Sequence, residues 1–141
     1  MVKNYVLYTM LFLSAYQVKG QDSLQIKKID SIWNNSYKRN NLYSKRESFE
    51  EGRIIYSFYK SSHQLRTVIV FNKWIKKNIM FFFVNDRIAM IWPSGRNPYY
   101  ILEDGVVYPN DNELYDGGDI SYWMDKANSY LVQAYKKKKR M

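Results

Sequence analysis

The sequence predicts an α+β fold: an N-terminal helix, an antiparallel meander of about five to six strands and a C-terminal amphipathic helix, arranged in two layers. Three observations predict it. Apolar residues recur at spacings of three and four near both ends of the chain. Between Arg53 and Tyr108 the period falls to two. Short Asn-, Asp- and Gly-containing turns divide that middle part into short runs.

The first helix is predicted from Asp22 to about Leu42. Asp22 can cap it, and Ile26, Ile29, Trp33 and Tyr37 form one apolar stripe. Residues 43–52 are polar and read as a link. The strands are expected at Arg53–Tyr59, Leu65–Trp74, Ile79–Val84, Arg87–Trp92, Tyr99–Leu102 and Val106–Tyr108. Asn85-Asp86 and Asp104-Gly105 read as tight hairpin turns. Pro109 to Gly118 is a loop, and Asp119 caps the last helix. In that helix Ile120, Trp123, Met124, Ala127, Tyr130, Leu131, Ala134 and Tyr135 make the clearest apolar stripe of the chain.

A sheet covered on one side alternates apolar and polar residues. These strands do not: Ile79, Phe81 and Phe83 face one way, and Met80, Phe82 and Val84 face the other. Either the sheet curls or carries helices on both faces, or a second subunit or ligand covers one face. The candidate partner surface is therefore aromatic: Phe82, Trp92, Trp74, Tyr56 and Phe58.

Residues 1–20 read as a secretory signal. Lys3 is basic, Tyr5–Tyr16 is an uncharged, largely apolar run, and Val18-Lys19-Gly20 leads to cleavage between Gly20 and Gln21. The run is shorter than the ~20 residues a spanning helix needs. The chain has no cysteine, which suits a bacterial periplasm better than a disulfide-rich secreted setting. The expected organisation is a signal (1–20), a single α+β domain (21–135) and a basic tail (136–141).

The net charge is +9, but residues 21–135 hold fifteen basic and thirteen acidic residues, a balance of +2. The high charge sits largely in Lys136, Lys137, Lys138, Lys139 and Arg140. That run is a candidate contact for a polyanion such as an anionic membrane surface. Export makes nucleic acid an improbable target.

Catalytic motifs are missing. His63 is the single histidine and falls in a turn. No Gly-x-Ser-x-Gly elbow and no phosphate-binding glycine loop occurs. No cofactor is called for. Asp111, Glu113, Asp116 and Asp119 cluster in the acidic stretch 103–119, where a carboxylate-based hydrolase or a calcium site is the alternative reading. The bland reading of that cluster is a turn and a helix cap.

The pairs Arg53–Tyr59 with Leu65–Phe71, and Ile79–Val84 with Ile88–Trp92, resemble strand pairs of small exported bacterial domains of the BLIP/PepSY-like kind. That resemblance implies a binding or inhibitory role without catalytic residues. The sequence thus points to an exported, non-enzymatic binding domain whose partner is another protein or a second copy of itself.

Overall fold

Residues 22–36, 41–74, 77–105, 107–108 and 120–139 are described by the structure, a computed structural model. The expected signal and its cleavage point, and the carboxylates Asp111, Glu113, Asp116 and Asp119, lie outside them. The chain divides into two compact units, residues 1–37 and 38–141.

In the first unit residues 22–36 form helix α1. The expectation that this helix runs to about Leu42 is corrected, since Leu42 opens a strand. Near the end of α1, Ser36 Oγ donates to the Trp33 carbonyl at 2.9 Å, and Asn35 Nδ2 donates to Ser31 Oγ at 3.3 Å. Such side-chain bonds compete with helical ones and disfavour further turns.

The second unit is a seven-stranded antiparallel meander in sequence order, with one helix across it. The strands are β1 (Leu42–Phe49), β2 (Gly52–Tyr59), β3 (Leu65–Asn72), β4 (Lys77–Val84), β5 (Arg87–Pro93), β6 (Tyr99–Ile101) and β7 (Val107–Tyr108). The helix is α2 (Ile120–Lys139). The strand missed by periodicity is β1, taken above for a polar link. All eight of its residues pair with β2. It is an edge strand, so backbone bonds to one neighbour suffice, and its Lys45, Arg46 and Glu47 discourage further pairing.

Two bulges break the expected alternation. Ser57 pairs with Thr67 but Phe58 with Leu65, leaving Arg66 extra in β3. Phe82 pairs with Met90 but Phe83 with Ile88, leaving Ala89 extra in β5. Each extra residue turns the following side chain back to the face already in use. Leu65 and Val68 therefore share one face, as do Ile88 and Ile91. At Asn85 and Asp86 the φ angles are 51° and 61°, the left-handed pair that a two-residue hairpin turn requires.

The main core lies between this face and α2. Tyr56, Phe58, Val68, Phe81, Phe83 and Ile91 meet Ala127 and Ala134. The two alanines let the helix approach the sheet closely. Phe81 lies 5.7 Å from the Tyr130 ring and 6.3 Å from that of Trp123. The other face carries the row Ile55, Ile69, Met80, Trp92 and the row Ser57, Thr67, Phe82, Met90, Tyr100. Thr67, Phe82 and Met90 are buried, and Ile55, Ile69 and Met80 are half-buried. Both faces are thus apolar.

Candidate functional site

Antiparallel order sends alternate turns to opposite ends of the sheet. One end carries the β1–β2, β3–β4 and β5–β6 turns. Lys73 N–H donates to the Glu51 carbonyl at 2.9 Å, tying the first two together, and Ser94 N–H donates to the Asn78 carbonyl at 2.9 Å. In the β3–β4 turn, the Trp74 N–H is held by Asn72 Oδ1 at 2.9 Å, a local bond typical of asparagine in turns. That bond fixes the backbone while the indole projects: Trp74 is 70% exposed. Phe49, at the end of β1, is 40% exposed, and Trp92 is 38% exposed. The Trp92 indole N–H donates to the Arg96 carbonyl at 2.9 Å, which orients its ring on the β5–β6 turn.

Cations stand over two aromatic rings at this end, those of Trp74 and Phe71. Lys73 Nζ stands 5.5 Å from the Trp74 ring, and Arg53 stands 5.3 Å from the Phe71 ring. Both pairs are cation–π contacts. Lys77 and Arg96 are exposed nearby, as are the acids Glu50 and Glu51.

The sequence-predicted aromatic surface is therefore split. Trp74 and Trp92 are exposed at this end. Trp74 lies in the turn beyond β3, so the expectation that it is a strand residue is corrected. Tyr56 and Phe58 are buried against α2, and Phe82 is fully buried on the opposite face. None of these three presents a ring to solvent. Phe49, Arg53 and Lys73 join the exposed end although they were not singled out. The available signal was an aromatic residue beside each of the three turns, Phe49, Trp74 and Trp92.

The opposite end carries a second polar cluster. The Tyr135 hydroxyl donates to Asp86 Oδ1 and accepts from the Leu65 N–H at 3.0 Å. Its ring meets Phe58 edge-on at 6.4 Å, and Phe58 stacks on Tyr43 at 5.2 Å. Tyr43 Oη and His63 Nδ1 lie 3.3 Å apart. His63 itself is exposed, in a turn with φ of 58°. Asp86, Leu131, Val132, Tyr135 and Lys136 line a shallow open groove here. Lys136, first of the basic run, is exposed at this end. The side chains of Lys137, Lys138 and Lys139, and all of Arg140, lie outside the described residues.

Burial first, then the Asp86 hydrogen bond, pushes the Tyr135 hydroxyl up to about 12, against the Leu65 N–H, which pulls it down. Tyr56 is raised further, first by burial and then by the charge of Glu47, whose Oε2 lies 3.3 Å from the Tyr56 hydroxyl. Both shifts favour the neutral phenol in the folded state. Their stabilising contribution is present in full below the unfolded tyrosine value of about 10. It is lost as pH rises through the folded values. The expected result is stability level to about pH 10 that declines from there towards 12 and above. Tyr135→Phe should lower stability by about 1–2 kcal/mol at neutral pH, since it removes the partner of the Leu65 N–H. It should also blunt the alkaline decline. Urea titrations of both proteins across that range check this.

Among the described residues no group of three or more His, Cys, Asp or Glu could hold a metal ion. No helix among them is long and apolar enough to cross a membrane. No protein-family model matches the chain, and no match is found among curated proteins or solved structures.

Proposed function

We propose that the protein is an exported, non-catalytic binding module that meets its partner through the aromatic end of the sheet, around Trp74 and Trp92. One observation supports this reading above the rest. Three large aromatic side chains, Phe49, Trp74 and Trp92, stand exposed at one end of the sheet. Holding a tryptophan in water exposes apolar area that burial would otherwise stabilise. Here Asn72 fixes the turn that projects it. Export rests on Lys3, the apolar run Tyr5–Tyr16 and Val18-Lys19-Gly20.

The test is affinity capture from the envelope and extracellular fractions, comparing the wild-type protein with a Trp74→Ser/Trp92→Ser double variant. The variant should stay folded: Trp74 is a surface position whose replacement shifts stability by only about 0.5 kcal/mol. Loss of the Trp92 hydrogen bond to the Arg96 carbonyl costs about 1 kcal/mol more, small beside the roughly 5–15 kcal/mol typical of a domain. It should retain little of the bound material, and the purified mature chain should begin at Gln21. Equal capture by both proteins would remove the reading, and an N-terminus still at Met1 would remove export from it.

A further inference from the structure

We infer that the partner of this aromatic end is an anionic lipid surface, touched edge-on by the row of hairpin turns. The inference rests on the binding role just proposed and names its partner.

Three features favour a bilayer surface over a folded protein. The first is shape. The β1–β2, β3–β4 and β5–β6 turns lie side by side at one sheet end. Neighbouring tips can touch a single plane together, and a planar, deformable surface accommodates them without matching their contours. A stable protein interface instead needs a contiguous patch of roughly 800 Å² per partner.

The second is residue type. Trp74 at 70% exposure suits the boundary between headgroups and acyl chains, where amphipathic aromatic rings concentrate, and Phe49 at 40% adds an apolar ring of the kind that inserts beside it. Lys73 lies over the Trp74 ring, so its aliphatic stem follows the apolar group while its ammonium stays among polar groups. The third is charge. Among the described residues of the three turns and the strand ends beside them, four exposed cations, Arg53, Lys73, Lys77 and Arg96, outnumber the exposed acids Glu50 and Glu51. Each cation held near an anionic leaflet raises partitioning about fivefold.

The contact is distinct from the basic run at Lys136–Arg140. The start of that run lies at the opposite end of the sheet, where Tyr135 meets Asp86.

The experiment uses the protein as purified from the secreting cell. Cosedimentation is measured with vesicles of phosphatidylcholine mixed with phosphatidylglycerol, and with vesicles of phosphatidylcholine alone. Binding to the mixed vesicles should be at least about tenfold tighter. Trp74→Ser should weaken it on the order of tenfold, and Lys73→Gln/Lys77→Gln roughly 20-fold. Tryptophan emission should shift to the blue on binding, and Trp74→Ser should abolish most of that shift. A variant with glutamine at positions 136–140 should keep the shift.

Absence of binding to the mixed vesicles overturns the inference. So does binding that Trp74→Ser leaves unchanged, or binding and emission shift both lost on neutralising positions 136–140 alone. If vesicles fail while captured protein still depends on Trp74 and Trp92, the binding role stands and only the lipid assignment falls. If capture is also independent of both tryptophans, the two fall together.

Discussion

Replacing Phe81 by alanine should lower the unfolding free energy by about 3–5 kcal/mol, the usual range for removing a buried phenylalanine ring. The position explains the size. Phe81 lies in β4 near the middle of the sheet, paired with Val68 on one side and Ile91 on the other. It is completely buried. Its ring meets Trp123 and Tyr130 of α2, and aromatic pairs of this kind add about 0.5–1.5 kcal/mol each beyond the area they bury. The β4 backbone cannot move to fill the space, because β3 and β5 hold it on both sides. Domains of this size are stable by only about 5–15 kcal/mol, so the variant should be near the margin of folding. Urea unfolding followed by tryptophan fluorescence should show a lower midpoint with an unchanged slope. A loss below about 1 kcal/mol would mean that α2 is not seated over Phe81.

Gly52→Ala should destabilise by about 3 kcal/mol through a different cause, since nothing apolar is lost and one methyl group is gained. A Cβ at this position would lie 1.8 Å from the Phe71 carbonyl oxygen and 2.9 Å from its carbon. Both are backbone atoms, so no side-chain rotation relieves the overlap. β2 must move away from β3 at the pair Gly52–Asn72, and the β1–β2 turn moves with it. The effect should concentrate at that end. Amide exchange in β1 and at Lys73, whose N–H is held by Glu51, should accelerate more than exchange in β4. Uniform acceleration across the sheet would assign the glycine a different role.

These two positions show unequal legibility. Phe81 is visible in the sequence as part of the unbroken apolar run Ile79–Val84, whose length and bounding turns give the strand, and the pleat puts Ile79, Phe81 and Phe83 on one face. Gly52 is hidden. It reads as the end of a polar stretch, and only the approach of Phe71, nineteen residues away, makes a side chain intolerable there. β1 was hidden for a related reason. An edge strand draws its stability from backbone bonds to a distant partner, so LYSKRESF, whose apolar residues Leu42, Tyr43 and Phe49 stand only at its ends, carries no alternating apolar pattern.

The aromatic surface was legible only in part. Period two puts Tyr56 and Phe58 on one face of their strand and Phe82 opposite Phe81 and Phe83 in another, but with both faces apolar it cannot say which of them α2 covers. The bulges at Arg66 and Ala89 add a further break, because a single extra residue reverses the alternation beyond it. No local pattern announces one.

By itself the sequence determined the kinds of element and their order: a helix, a run of strands with a tight turn at Asn85-Asp86, and a final helix with one apolar stripe. These follow from local periodicity and turn chemistry, which neighbouring residues set. The tertiary structure alone decided that α2 buries Tyr56 and Phe58, that β1 completes the sheet, and that Trp74 and Trp92 are left exposed at one end. Burial depends on which distant surfaces meet, and that information belongs to strand pairing and helix seating, not to any stretch of chain read alone.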